Sequence, residues 1–292
     1  MEIINRRRRM MAVARKLRRE ENRTIGLVPT MGALHDGHLS LIHEARALCD
    51  VVVVSVFVNP TQFGPAEDFG SYPRDLTRDS ALLAEYNVDY VFAPPAEEIY
   101  PSGFATYITV ERLSDKLEGA ARPGHFRGVT TVVAILLNIV RPHFAFFGQK
   151  DAQQSIIIKQ MVHDLAFEAE IVVLPIVREE SGLAMSSRNA YLDEPERRAA
   201  TVLNRALLQA RAAYADGERN AARLIELVRS TIEHEPMARI DYVSVNDVET
   251  LQQLEKIDER ALLSLAAFIG QTRLIDNIVL GQSEKSAVSA NA

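Results

Sequence analysis

His35 and His38 stand three residues apart in "PTMGALHDGH", the stretch from Pro29 to His38. An apolar run precedes it and a helix-like run follows, so this is a turn where a strand hands over to a helix. A helix beginning at Gly37 or His38 presents unpaired N–H groups and the positive end of its dipole, a ready anion site. Two imidazoles at the same spot add donors that can hold phosphate oxygens and steady charge growing in a transition state. The structural alternatives are N-capping or a chance pair of surface histidines. A metal pair lacks its ligand set, because no cysteine and no nearby acidic cluster completes one.

Other polar stretches carry related chemistry. "FGQKD" places Gly148 at a strand end and Lys150, a mobile point charge, at the next helix start. Asp151 can accept from a ribose hydroxyl; a solvated Lys–Asp pair is the plain alternative. "MSSRN" offers Ser186, Ser187 and Arg188 to a polyphosphate, or is a polar linker. Gln62, Gln153 and Gln154 are neutral amides that suit the hydroxyl and carboxylate groups of a small substrate, although solvent is their usual fate. Arg122, His125 and Arg127 lie in "GAARPGHFRGV", which reads as a shaped loop, and Met31 and Phe63 as lid or core residues. The absence of a Gly-x-Gly-x-x-Gly after any strand, and of a Walker A pattern, disfavours a dinucleotide site and a P-loop ATPase. No serine sits in a nucleophile elbow, and Cys49 lies inside an apolar helix face, a structural position.

The elements that position these residues alternate. "TIGLVPT", "VVVVSVFV", "VDYVFAP", "HFAFFG" and "EIVVLPIV" read as strands, with helices over Gly37–Leu48, Asp75–Tyr86, "GVTTVVAILLNIV" and Asp151–Val162 between them. "TYITV" reads as a short edge strand. The pattern predicts an α/β fold: a Rossmann-like doubly wound parallel sheet, with "VVVVSVFV" covered on both faces. Ligands on such sheets sit at the carboxyl ends of the strands, and "PTMGALHDGH", "NPTQFG", "FGQKD" and "VREESGLAMSSRN" all follow predicted strands. After residue 190 the order changes. Asp193, Glu196 and Pro195 start a helix with a capping box, a second helix runs from Asn220 to His234, and "IDYVSV", "ALLSLAAFIG" and "TRLIDNIVL" read as strands. Helices followed by strands predict a smaller C-terminal α+β domain. The expected division is 1–178, 179–283 and a frayed tail at 284–292.

Composition narrows the function classes. The chain has 292 residues, 47% hydrophobic, with a net charge of −6. That sign disfavours nucleic acid, whose phosphates need a net basic face, but not a small anion in a local cationic pocket. No apolar run reaches membrane-spanning length. Cys49 is the single cysteine, which rules out an intrachain disulfide and fits a reducing cytoplasm. The basic start, "MEIINRRRRMMAVARKLRREENR", lacks the apolar region of a signal peptide and reads as a surface helix with a stripe through Met11, Val13 and Leu17.

"PTMGALHDGH" resembles the His-x-Gly-His site of the nucleotidyltransferases that include class I aminoacyl-tRNA synthetases. "PTMGALHDGHLSLI", "FVNPTQF", "YPRD", "RPGHFRGVTTVV", "FGQKDAQQ" and "GLAMSSRNAYL", in this order and at these spacings, are together similar to the pantoate–β-alanine ligase family, from about residue 24 to 280. His-x-Gly-His alone would imply only nucleotidyl transfer, as in a cytidylyltransferase. The resemblance implies ATP as substrate, Mg²⁺ with it, pantoate and β-alanine as the other substrates, a pantoyl-adenylate intermediate, a C-terminal lid and a homodimer. Charge and the lack of a spanning apolar run leave no expected nucleic-acid or membrane partner.

Carried over by matching motif, Met31, Gly32, Ala33, Leu34, His35, Asp36, Gly37 and His38 form the ATP loop. Gly148, Gln149, Lys150 and Asp151 contact ATP, Val177 lies against adenine, and Met185, Ser186, Ser187 and Arg188 form a second phosphate loop. His38, His35, Lys150 and Arg188 are the expected catalytic groups, with His38 as proton donor or as electrostatic stabiliser. Gln62 and Gln154 hold pantoate, and Gln62 also faces β-alanine. Asp79 falls near the family's metal-binding acidic position, an ordinary exposed helix carboxylate being its other reading. Ser181 stands where the family has Asp, and Ala152 where it is commonly aromatic.

Overall fold

The computed structural model describes residues 1–65 and 67–281; the expected frayed tail at 284–292 lies outside them. The chain divides into two compact units. One comprises Met1–Gln149 and Gln153–Pro175; the other takes in Lys150–Ala152 and the chain from Ile176 on. Unlike a single cut near residue 178, this division is discontinuous.

In the first unit the order is β1 (Glu2–Ile4), α1 (Arg7–Arg19), β2 (Ile25–Thr30), α2 (Asp36–Leu48), β3 (Val51–Val56), α3 (Leu76–Glu85), β4 (Tyr90–Phe92), α4 (Ala96–Ile99), α5 (Glu118–Ala121), α6 (His125–Val140), β5 (Phe144–Gly148), α7 (Ala152–Asp164) and β6 (Glu170–Leu174). The six strands form a parallel sheet in the order β1-β4-β3-β2-β5-β6. From β2 the chain first winds outward through β3 and β4, then crosses back to β5 on the other side. The direction therefore switches between β2 and β5, where a doubly wound sheet opens a crevice at its carboxyl edge. The loops carrying His35, His38 and Gly148 leave the sheet there.

β3 is interior in the sheet, and Val51–Val54 are buried, as its unbroken apolar run predicts. α6 buries most of its circumference and ends at Arg141, in the left-handed region just before Pro142. Cys49 caps the end of α2, and burial pushes its thiol up to about 11. A Cβ on Gly26 would lie 2.8 Å from its Sγ, so glycine makes room for it.

Four expectations need correction. "GAARPGHFRGV" is not a loop throughout: Glu118–Ala121 is helical and from His125 on it is the start of α6, which carries Arg127. β1 is a strand that the basic start concealed, paired with β4. The buried stripe of α1 is Met10, Val13, Ala14 and Leu17, the spacing of one helix face; Met11 is exposed. "TYITV" forms no strand. Ile108 instead receives a bond from Thr130 Oγ1 at its carbonyl and gives its N–H to Thr131 Oγ1, so α6 side chains satisfy the backbone that a ladder would have paired.

The second unit contains α8 (Glu194–Ala215), α9 (Ala221–Glu233), β7 (Ala238–Asn246), β8 (Ala261–Ile269) and β9 (Thr272–Leu280). Asp193 and Glu196 cap α8 reciprocally, and Asn220 caps α9. The strands form an antiparallel sheet with β8 central, packed through Val245, Leu263 and Leu265 with Leu203, Leu207, Leu224 and Val228 of the helices. Among the described residues, no helix is long and apolar enough to cross a membrane.

Candidate active site

β2 ends at Thr30 and α2 begins at Asp36, with His35 as its N-cap. His35 Nδ1 accepts from Gly37 N at 3.2 Å, and His38 Nδ1 accepts from His35 N at 3.4 Å. The rings lie 4.1 Å apart between centroids. An Nδ1 that accepts cannot carry the proton of a neutral imidazole, so each ring holds it on Nε2. Capping uses Nδ1 of each ring, and a bond to an anion would be made through Nε2. The two readings of this pair are therefore compatible.

Before the histidines the loop reverses through two left-handed residues, Gly32 (φ 81°) and Ala33 (φ 51°). Asp79, in the first turn of α3, is 1% exposed. Its Oδ2 accepts from Ala33 N at 2.9 Å and its Oδ1 from Leu34 N at 3.0 Å. The exposed carboxylate expected from sequence is thus a buried one, with both oxygens engaged by loop backbone. Partners 45 residues or more away in the chain gave no local signal of this.

Gln62 closes a short 3-10 turn, Pro60–Gln62, beyond β3. Asn59, at 1% exposure, organises that turn. Its Nδ2 donates to Gln62 Oε1 at 3.0 Å and to Gly128 O at 3.1 Å, while its Oδ1 accepts from Tyr100 Oη at 2.7 Å. Gln62 Nε2 lies 3.2 Å from Met31 Sδ, which ties the Gln62 turn to the phosphate loop. A Cβ on Gly128 would run into the Thr61 carbonyl, so only glycine lets α6 approach the turn this closely. The sequence reading did not single out Asn59 or Tyr100. The Asn-Pro pair at a strand end, a turn-initiating dipeptide, was the available signal for Asn59.

Arg122, His125 and Glu67 buttress the same turn. Arg122 grips Glu67 through two nitrogens, and its Nη1 lies 3.1 Å from His125 Nε2. Burial pushes Glu67 upward, but the bonded Arg122 guanidinium outweighs it and holds the carboxyl below its usual range. Burial and the Arg122 charge depress His125 to about 4. Arg127 stacks on Tyr107, its guanidinium carbon 3.5 Å from the ring centroid. Phe63 packs edge-on against Tyr72.

Gln154 is half-buried on α7. Its neighbour Gln153 is not the solvent-facing amide that sequence suggested. It is buried, accepts from Glu118 N at 2.9 Å, and donates to Leu113 O at 2.9 Å and Lys116 O at 2.8 Å. It holds the 113–118 loop, where Leu117 sits at φ 46°.

Gly148 ends β5 and Gln149 follows it in the first unit, whereas Lys150, Asp151, Val177 and Met185–Arg188 belong to the second. Lys150 Nζ is 3.7 Å from Asp151 Oδ1, and Lys150 O accepts from Asn277 Nδ2 at 2.9 Å. Arg178 pairs with Asp276 through two bonds, at 2.7 and 2.9 Å. Neighbouring residues of β9 thus hold both the Lys150 segment and the chain leading to Val177. Met185 N donates to Val177 O at 3.0 Å. Ser186 caps the turn Ser187–Tyr191 by accepting from Arg188 N, and buried Asn189 ties that turn to Glu179 and Ala184. Ser181 retains a local bond, accepting from Leu183 N at 3.4 Å, beside Gly182 at φ 89°. Ala152 is buried.

Comparison with known proteins gives the family and the fold. The family model described as pantoate-beta-alanine ligase matches residues 2–279. The pantothenate synthetase of Heliobacterium modesticaldum is 56% identical over 280 residues, 96% of this chain and 99% of the relative. That of Pelotomaculum thermopropionicum is 56% identical over 264 residues, 90% and 94% of the two chains. The crystal structure of pantothenate synthetase from Thermus thermophilus superposes with a TM-score of 0.90 at 46% identity, covering 95% of this chain and 99% of that one. The Francisella tularensis pantoate-beta-alanine ligase, solved with beta-gamma ATP and beta-alanine, gives 0.79 at 36%, covering 97% and 99%. A parallel sheet with a histidine-capped helix at its switch point, matched along nearly its whole length by these relatives, makes this chain a member of the pantoate–β-alanine ligase family.

Proposed function

We propose that this enzyme joins (R)-pantoate to β-alanine in two steps. A carboxylate is a poor acyl donor because oxide is a poor leaving group. A pantoate carboxylate oxygen attacks the α-phosphorus of ATP, the bond to the β-phosphate bridge breaks, and pyrophosphate leaves. The β-alanine amine then attacks the acyl carbon of pantoyl adenylate, loses a proton, and expels AMP to give pantothenate. The observation that carries this reading is the His35–His38 pair, whose Nδ1 atoms accept from the backbone at the start of α2 and whose rings lie 4.1 Å apart between centroids.

Each residue then has a chemical task. His35 and His38 donate to phosphate oxygens where negative charge grows, with Lys150 and Arg188 as the cationic contributors. This electrostatic role suffices for His38 without its acting as proton donor. Gln62, its amide oxygen held by Asn59, binds pantoate with Gln154 and faces the incoming amine. Asp151 takes the ribose and Val177 the adenine, while Met185–Ser187 and Gly148–Gln149 line the nucleotide. Excluding water protects the acyl adenylate from hydrolysis.

Mg²⁺ accompanies ATP in this reading. Among the described residues no group of three or more His, Cys, Asp or Glu is placed to hold a metal. Such an ion would be bound largely through substrate phosphates, as Mg²⁺ commonly is. We further propose a cytoplasmic homodimer, testable by light scattering against the 32.5 kDa chain mass.

Pyrophosphate exchange tests the reaction order. Labelled pyrophosphate should enter ATP with pantoate alone, before any amine is added. Exchange that requires β-alanine would rule out a separate adenylate.

A further inference from the structure

We propose that Asp79 is a positioning residue of the phosphate loop, fixing residues 32–34 in the reversed conformation that carries the chain into His35 and His38, rather than serving as a metal ligand. The inference rests on the adenylation reading for its kinetic consequence and on geometry for the rest. Ala33 occupies the left-handed region, which disfavours any residue with a Cβ. Something must hold it there. Asp79 does so by accepting two successive backbone N–H groups, one on each oxygen. Successive N–H groups in such a turn make a concave anion site. In many phosphate loops that concavity takes a phosphate; here the protein's own carboxylate fills it.

The surrounding geometry points the same way. A Cβ on Gly32 would sit 2.9 Å from Asp79 Oδ2 and 3.1 Å from Val56 Cγ1, so the loop backbone lies directly on the carboxylate. Gly32 N donates to Thr30 Oγ1 at 3.2 Å, and Arg78 Nη2 lies 3.4 Å from Leu34 O. Neighbouring α3 residues thus contact both the N–H and the C=O of Leu34. Within this loop, the N–H groups of Ala33 and Leu34 are committed inward. Phosphate is left to the His35 and His38 rings and the start of α2.

Asp79→Asn in the full-length enzyme tests the assignment. Asparagine keeps the volume but turns one acceptor into an NH2 group that meets a loop N–H. Amide exchange should accelerate at Ala33 and Leu34 by roughly tenfold or more relative to wild type, with the centre of β2 unchanged. In pyrophosphate exchange the KM for ATP should rise roughly five- to a hundredfold, the effect of one buried donor left unpaired. The KM for pantoate should move much less. Titrating Mg²⁺ at saturating ATP should give the wild-type midpoint.

Unchanged exchange at Ala33 and Leu34 with an unchanged ATP KM would overturn the proposal. So would lost activity that excess Mg²⁺ restores while the loop amides stay protected, which is the behaviour of a metal ligand. If the variant does not fold, the wild type still decides: unprotected Ala33 and Leu34 amides would refute the two bonds. Gly32→Ala, which presses on the intact carboxylate, should raise the ATP KM in the same manner. Failure of wild-type pyrophosphate exchange would instead remove the adenylation reading and leave the amide measurement standing.

Discussion

His125 Nδ1 lies 2.8 Å from the carbonyl oxygen of Gln62, and an acceptor there requires the ring proton on Nδ1. The lone pair is then on Nε2, facing Arg122 Nη1. A buried ring in this tautomer props the turn that carries Gln62.

This arrangement predicts a pH-dependent stability. His125 titrates near 6.5 when unfolded and at about 4 in the folded chain. Between those values the unfolded chain binds more protons, so the contribution is full above about pH 6.5 and is lost as pH falls toward about 4. Crossing the window costs about 3 kcal/mol at about 1.36 kcal/mol per unit. Denaturant midpoints should fall more steeply between about pH 7 and 5 for wild type than for His125→Asn, whose amide can still donate to Gln62 O. Parallel slopes would show that another group titrates.

Gln153→Ala should weaken the fold, not the substrates. It strips partners from Glu118 N, Leu113 O and Lys116 O, an expected loss of about 1–3 kcal/mol. Thermal unfolding should shift down while the pantoate KM stays near wild type. Gln154→Ala should reverse the pattern, keeping Tm and losing pantoate affinity. A stable Gln153→Ala with poor pantoate binding would exchange the two assignments.

Asn277 should matter to nucleotide use through the Lys150 carbonyl. Asn277→Asp sets a carboxylate against that oxygen, whereas Asn277→Ala merely removes the donor. The Asp variant should therefore lose more kcat/KM for ATP, by roughly tenfold against Ala if it forfeits a further ~1.4 kcal/mol. Equal losses in steady-state assays would make Asn277 a packing residue only.

What could be read from the sequence was what is encoded locally. Asp193 and Glu196 cap α8 from three residues apart, and His35 and His38 cap α2 likewise. The unbroken run of β3 announced an interior strand. What could not be read depends on partners distant in sequence. Asp79 looked like any helix carboxylate because the N–H groups it holds come from another loop. Gln153 and Gln154 are indistinguishable in type, and only the 113–118 loop decides which is buried. β1 is three residues long, too short for alternation to show.

Lys150–Ala152 lie in the chain between β5 and the body of α7, yet they group with the second unit. No single peptide-bond cut can therefore separate the two units intact. A fragment expressed from Ile176 onward would lack the carbonyl that Asn277 grips, and one stopping at Pro175 would carry Lys150 without its anchor. Grafting the second unit from a relative would have to bring these three residues with it, as an insert inside the recipient's first unit.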